Sequence, residues 1–307
     1  MKKLTLLSAL LAVVFTVNAG EMLLRAMTFN LRCPVEADGV NQWKFRKDIA
    51  ADLVRFHDPD VWGAQEATKT QIDDLLERLP DYDYIGVGRD DGKQGGEHAP
   101  IFYKRNRFVV EKSGNFWIAE PEKMNIPGSK GWDSDYPRVT TWAVMLDKVS
   151  GKRFFYMNTH LDHIGRDARH EGAKLLLAQA TRLSEGLPVM VSGDFNATPK
   201  DDPILVMTDP TNPQSLINTR RSAKFVYGPD WSFHDFGRIK PSERPWLDYI
   251  FVDRRWTALT CACLSEYYGE LFPTDHCPVL VVLSLKQDIF IHNLRWGAVH
   301  NWRSLLL

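Results

Sequence analysis

Apolar and polar positions along the chain fall into two kinds of short run. The first kind is extended: "MLLRAMTFN", "DVWGAQE", "YDYIGVG", "PIFYKR" and "VTTWAVMLD" are brief and rich in β-branched or aromatic residues. "RFFYMNTHL", "LPVMVSGD", "WLDYIFVD", "ALTCACLSE" and "PVLVVLSL" repeat the pattern, so about ten strands are predicted. The second kind carries apolar residues at helical spacing and predicts helices over 43–57, 68–78 and 166–186, the last closing on Gly186. Some strand runs alternate and others are apolar throughout. Two packed sheets with helices outside them accommodate both sorts.

No Gly/Ser/Pro-rich linker, charge block or repeat interrupts this succession, which argues for one domain over 20–286. Residues 1–19 read differently. Lys2 and Lys3 precede an apolar stretch that ends on Val17-Asn18-Ala19, the pattern of a cleavable secretory leader. The apolar part is shorter than the ~20 residues a membrane span needs. An exported, periplasmic or extracellular protein without a transmembrane span in its mature chain, and a monomer, is the expectation. Residues 287–307, "DIFIHNLRWGAVHNWRSLLL" with its preceding residue, form a C-terminal extension to which the pattern assigns no role.

The chain has 307 residues, of which 44% are hydrophobic and 25% charged, an ordinary globular balance. Its formal charge of −1 becomes −3 once the leader's two lysines are removed. Such a chain exerts no global pull on nucleic acid. Cys33, Cys261, Cys263 and Cys277 lack the paired spacing of a zinc ribbon and read as free or partly paired structural cysteines. "GRDDGKQ" has the wrong spacing for a phosphate-binding loop, so "GRDDGKQGGEHAP" reads as a plain loop.

One event recurs along the chain: an apolar strand ends and a residue able to bind metal or phosphate stands at its tip. Asn30 ends "AMTFN" and Glu66 ends "VWGAQE"; His160 and Asp162 close "FFYMNTHLD". Asp194 and Asn196 follow "VMVSG", Asp248 lies in "WLDYIFV", and Asp275 with His276 precedes "CPVLVVLSL". Side chains two apart on an extended chain share a face, so Asp194 and Asn196 emerge together. Buried carboxylates without a partner or a metal are costly to keep ionised. Oxygen donors suit Mg²⁺, with Mn²⁺ as the alternative, and Glu66 is the expected primary ligand with Asn30 and Asp275 beside it. A carboxylate such as Asp248 would orient His276. Phosphate-ester cleavage demands accelerations approaching ~10²¹, whereas a general base supplies ~10²–10⁴. A set with both metal ligands and phosphoryl donors therefore fits a phosphorylated substrate.

The stretches "TFNLR", Gln65-Glu66, "NTHLDH", "SGDFNATP", "LDYIFV" and "TDHCPV", in this order from Thr28 to Val279, resemble the endonuclease/exonuclease/phosphatase superfamily. The resemblance implies an α/β fold, a four-layer α/β/β/α sandwich of two packed mixed β-sheets flanked by helices, with the site at one edge of the sheets. It implies that Glu66 holds the metal beside Asn30, that Asp194 orients or deprotonates water, and that Asn196 positions it. Asp248 would orient His276 against the phosphate, Asp275 would support metal or histidine, and His160 would serve a phosphate oxygen or the leaving group. One or two metals, and Asp194 or His276 as base, both stay open. Trp43 with Arg46, "PRVTTW" and "WSFHDFG" look like an exported bacterial branch, in which Arg138, Asp162, His234 and Tyr103 are candidate substrate contacts. The implied substrate is a nucleic acid, a phospholipid head group or a sugar or inositol phosphate.

Two rival readings use the same residues. "NTHLDH" nearly reproduces the H-x-H-x-D-H motif of dinuclear zinc hydrolases, but Asn158 stands where the first histidine belongs. A catalytically silent binding protein on the same fold is the other, and it would be expected to have lost one of the key residues.

Overall fold

The computed structural model describes residues 21–285; the predicted leader and C-terminal extension lie outside the described residues. The chain runs through β1 (Met22–Asn30), α1 (Trp43–His57), β2 (Val61–Gln65), α2 (Lys69–Arg78), β3 (Tyr82–Ile85) and β4 (Ile101–Lys104). Three long strands follow, β5 (Phe108–Trp117), β6 (Val139–Asp147) and β7 (Arg153–His160), then α3 (Arg166–Leu183), β8 (Val189–Asp194) and α4 (Asp202–Thr208). Short β9 (Ile217–Asn218), α5 (Thr219–Ser222) and β10 (Phe225–Tyr227) lead to β11 (Asp248–Val252), β12 (Trp256–Cys263) and β13 (Val279–Leu285).

The strands form two mixed sheets, one in the order β10-β12-β13-β1-β2-β4-β3 and one in the order β5-β6-β7-β8-β11-β9. The first sheet carries α1 and α2 on its outer face. Ala50, Leu53 and Val54 of α1 and Ile72 and Leu75 of α2 share a core with Phe29, Trp62 and Phe102. Thr68 starts α2 with a capping box: its hydroxyl accepts from the Gln71 N–H, and the Gln71 side chain accepts from the Thr68 N–H. The second sheet carries α3, whose Ala173, Leu176, Leu177 and Ala180 lie in the larger core with β6, β7 and β8. The layers are thus helix, sheet, sheet, helix, as the sequence resemblance implied.

The strand β5 is absent from the sequence-based expectation. Its centre reads "EKSG" and lies at the sheet edge with largely exposed residues, so neither alternation nor a buried run marks it. A bulge between Val110 and Lys112 further breaks its period. The short elements α4, α5, β9 and β10 were likewise too brief to announce themselves.

The two sheets meet through a buried polar seam as well as through apolar packing. Gln65 donates to Asn158 Oδ1 at 2.8 Å, and the Ser192 hydroxyl donates to the same oxygen at 2.9 Å. The Asn158 amide donates in turn to the carbonyls of Ala64 at 2.7 Å and Pro100 at 3.0 Å. Asn158 is therefore an inter-sheet tie and not a histidine-substitute ligand. Gly63 makes room for it, because a Cβ there would stand 2.2 Å from Asn158 Oδ1. The cysteines Cys33, Cys261, Cys263 and Cys277 are all free thiols.

Candidate active site

Strand register gathers the polar tips at one end of the two sheets. In the first sheet Asn30 pairs alongside Gln65, which places Glu66 beside the end of β1. In the second, His160 lies alongside Asp194 across the parallel β7/β8 pair, and Asp248 opposes Asp194 across antiparallel β8/β11. Asp194 is therefore flanked by a histidine and a second carboxylate. Three residues here, Arg32, Glu66 and Asn196, adopt left-handed backbone with φ of 55°, 57° and 46°. Asparagine tolerates that conformation, whereas for arginine and glutamate it is strain of the kind that collects at functional sites.

Hydrogen bonds join the two halves. The Asn30 amide donates to Glu66 Oε1 at 3.1 Å and to Asp194 Oδ2 at 3.0 Å. Its own oxygen accepts from the Arg32 N–H at 2.9 Å. Asn30, expected beside the metal, thus ties Glu66 and Asp194 together with its amide while its oxygen is turned toward the backbone. Glu66 Oε2 accepts from the Cys33 N–H at 3.0 Å. Burial opposes ionisation of Glu66, but that N–H, the His276 charge and the Asn30 amide outweigh it and hold the carboxyl below its ordinary value.

Asp194 behaves oppositely. Burial first, and then the facing Asp248, push it up to about 7, although His276 and the Asn196 N–H at 2.8 Å pull the other way. His276 donates through Nδ1 to Asp248 Oδ2 at 2.8 Å and turns Nε2 toward Asp194 Oδ2 at 3.7 Å. Burial works against its charge, yet Asp248, Asp194 and Asp275 raise it to about 10. Asp275 is raised by burial and further by Glu66, with Arg32 Nε 3.8 Å away. His160 is held well below its ordinary value by burial and by Arg138 and Arg89, so it is neutral. Arg138 can only donate, and its Nη1 stands 3.1 Å from His160 Nδ1. Around the other ring nitrogen, Nε2, stand Asp194 Oδ2 at 3.7 Å and the Asn196 amide nitrogen, a second donor, at 3.0 Å.

These groups line a cavity of about 540 Å³. Its floor holds Glu66, Asp194, Asn196, His160, Asp275 and His276. The donor set fits a hard divalent cation: three buried carboxylates, Asp194, Asp248 and Asp275, converge with the half-buried Glu66, one oxygen of Asp248 is buried with no partner, and Asp194, Asp248 and His276 offer ligand atoms within 4.8 Å of one another. Glu66 and Asp275 face the cavity from the edge of the first sheet, the side from which His276 also comes. The single thiol in the lining, Cys33, is pushed up to about 12 by burial and by Glu66, so it stays protonated and is a poor ligand.

Not all expected contacts reach the cavity. Arg138 lines it, but Asp162 does not: its carboxylate sits 3.3 Å behind Arg138 and accepts the N–H groups of Ile164 and Gly165 at the start of α3. Asp162 is thus a positioning residue for Arg138. His234 is also corrected. Its Nδ1 accepts from the Gly237 N–H at 3.1 Å, and its ring is buried against Trp231 and Phe272. Burial, His276 and Arg244 lower it to about 3, which suits a neutral structural ring. Tyr103 lies in β4 and packs against the inter-sheet core.

Residues that the sequence did not single out complete the walls: Arg32, Arg89, Glu97, Tyr136 and Phe233. Arg32 stands two positions after Asn30, so the spacing that drew attention to Asn196 would also have found it. Arg89 and Glu97 sit in the segment read as a plain loop, and no local signal marks them. Beneath Arg32 lies Arg46, fully buried, which donates to the carbonyls of Asn41, Leu31, Pro273 and Arg32 at 2.8, 2.5, 3.0 and 2.7 Å. It clamps the loop after Asn30 to the loop before Asp275.

Comparison with known proteins gives the same picture. A structure of an endonuclease/exonuclease/phosphatase from Bacteroides vulgatus is 38% identical and superposes with a TM-score of 0.83, covering 86% of this chain and 100% of that one. A mannosyl-6-phosphatase from Bacteroides thetaiotaomicron is 34% identical with a TM-score of 0.80, covering 85% and 99%. The CCR4-Not complex 3'-5'-exoribonuclease subunit Ccr4 of Aspergillus terreus is 27% identical over 164 residues, 47% of this chain, and the match spans 24% of that larger protein. The profile of the Endonuclease/Exonuclease/phosphatase family matches residues 27–276, from the strand that ends in Asn30 to His276 itself, and the chain belongs to that family.

Proposed function

We propose that the protein is an exported, Mg²⁺-dependent phosphoric ester hydrolase that cleaves its substrate by in-line attack of water. The observation that carries the reading is the convergence, in one cavity, of Glu66, Asp275 and His276 from the edge of one sheet with Asp194 and His160 from the other, whose Asp248 holds His276. A bound Mg²⁺ would supply charge neutralisation at a phosphoryl oxygen, with Glu66 and Asp275 holding it. Asp194, fixed by the Asn30 amide and the Asn196 N–H, is placed to orient the attacking water and take its proton; being held near 7, it is matched to that exchange. His276, kept positive by Asp248, is a donor for the charge that develops on the phosphoryl oxygens, and His160 faces the same cavity. Export rests on the sequence of residues 1–19 alone.

The silent-protein alternative is weakened because every predicted catalytic side chain is present and turned inward. Purified protein is expected to hydrolyse p-nitrophenyl phosphate or bis-p-nitrophenyl phosphate with Mg²⁺ and to lose turnover in EDTA. Asp194→Ala and His276→Ala should each lower kcat by about 10²–10⁴-fold while the circular dichroism stays native. Absence of turnover on both esters with any divalent metal would overturn the proposal.

A further inference from the structure

The family chemistry accounts for the cavity floor but leaves one wall without a purpose. That wall comes from the glycine-rich segment 86–100, a folded structure in its own right. Arg89 and Glu97 are paired through backbone, with the Arg89 N–H donating to the Glu97 carbonyl at 2.9 Å. Asp91 accepts from the N–H groups of Lys93 at 2.7 Å and Gly95 at 2.8 Å, closing the turn between them. Gly88 permits the fold, since a Cβ there would lie 2.2 Å from the Gly95 carbonyl oxygen. The segment is tied down at both flanks: His98 N–H donates to the Ala67 carbonyl at 2.7 Å, next to Glu66, and the Trp117 indole donates to the Arg89 carbonyl at 2.6 Å.

The side chains on this wall are held but not exhausted. Arg89 Nη1 donates to Glu97 Oε2 at 2.6 Å, and its guanidinium lies 4.9 Å from the centre of the Tyr136 ring. Its Nε is buried, with Asp90 Oδ1 3.8 Å away, so four of its five N–H donors remain for the cavity side, one of them held by Glu97. A carboxylate and a guanidinium fixed side by side, with spare donor capacity, match neighbouring hydroxyl groups, which can donate to one and accept from the other.

Charge argues the same way. Each arginine lining the cavity is already matched by a carboxylate: Arg32 with Asp38 at 3.1 Å, Arg89 with Glu97, and Arg138 with Asp162 at 3.3 Å. Glu66, Asp194, Asp235 and Asp275 add further negative charge to the lining. A chain of phosphates would meet that charge without free cations to offset it, whereas a single phosphate on a neutral body would not.

We propose that Arg89 and Glu97 select the substrate, holding the hydroxyls of a neutral polyhydroxylated body whose one phosphomonoester is cleaved at the floor; this rests on the phosphoesterase reading above. The test compares kcat/KM of wild type and Glu97→Gln in Mg²⁺ on a panel of hexose 6-phosphates, their deoxy analogues, p-nitrophenyl phosphate and a single-stranded oligonucleotide. Wild type is expected to prefer at least one hexose phosphate. Glu97→Gln should lower the ratio of hexose phosphate to p-nitrophenyl phosphate by about 10- to 100-fold, the worth of a hydrogen bond to a charged group. Removal of the recognised hydroxyl should penalise wild type and add little further in the variant. Equal losses on both substrates, or a wild type that favours the oligonucleotide, would overturn the selection role and leave the hydrolase standing. If wild type turns over nothing, the hydrolase reading itself falls, so the two failures are distinguishable.

Discussion

Replacing Arg46 with methionine removes the guanidinium while keeping the apolar stem. The side chain is fully buried and makes four hydrogen bonds, all to backbone carbonyls. A hydrogen bond to a charged donor is worth about 1.5–3 kcal/mol net, and each carbonyl left unsatisfied costs about 1–3 kcal/mol. Against this stands desolvation. Burial lowers Arg46 from 12.5 to about 10 despite Asp275, Asp38 and Glu66, which corresponds to about 3 kcal/mol disfavouring the charged form. The difference leaves Arg46→Met less stable by at least about 3 kcal/mol, in keeping with the ~3–5 kcal/mol lost when one partner of a buried charged network is removed. Urea unfolding followed by tryptophan fluorescence measures it. Two of the clamped carbonyls, Arg32 and Pro273, lie within two residues of Asn30 and Asp275, so a displacement of about 1 Å there should also reduce kcat by about 10²-fold. Arg46→Lys keeps a charge but loses the planar fork and should fall between the two. A methionine variant within about 0.5 kcal/mol of wild type, with unchanged kcat/KM, would refute the clamp.

Gly63→Ala should destabilise by about 1–3 kcal/mol or more, because the new methyl would overlap Asn158 Oδ1 and Ser192 Oγ; a denaturation midpoint equal to wild type would show that the seam yields freely. Stability in EDTA should fall as pH rises from about 6.5 to 10. The folded state raises His276 from 6.5 to about 10, so its contribution is complete below the unfolded value and disappears as pH climbs through the folded one. Asp194, raised from 3.8 to about 7, gives an earlier decline between about 4 and 7, since the fold favours its protonated form and that advantage is lost as pH rises through the folded value. Asp248→Asn should flatten the slope above pH 7, and a wild-type profile that is already flat there would count against the assigned charge on His276.

Much of the site was legible because its residues announce themselves twice, as polar groups and as the ends of apolar runs. Asp194, Glu66 and His276 each follow or precede a buried strand, and parallel strands bring such ends to one edge whatever the details of packing. Asp162 and His234 carried the same outward sign and yet serve the scaffold, because what a strand-end carboxylate or a histidine touches is decided by the element that folds over it. For Asp162 that element is α3, and for His234 it is the turn at Gly237. Arg89 and Glu97 were illegible for the converse reason: they lie eight residues apart in a loop, and only the closure of that loop onto Ala67 turns them inward. β5 escaped notice because its centre is exposed over consecutive residues and a bulge interrupts its alternation.

The ties between Gln65, Asn158 and Ser192 have a consequence for how the enzyme could wear or drift. Part of the cavity lining rides on one β-layer and part on the other, so any sliding of the layers would separate Glu66 and Asp275 from Asp194. Apolar packing alone is nearly indifferent to a small slip; directional bonds at fixed points are not. They act as dowels, and they stand one residue before Glu66 and two before both His160 and Asp194, where misalignment would matter most.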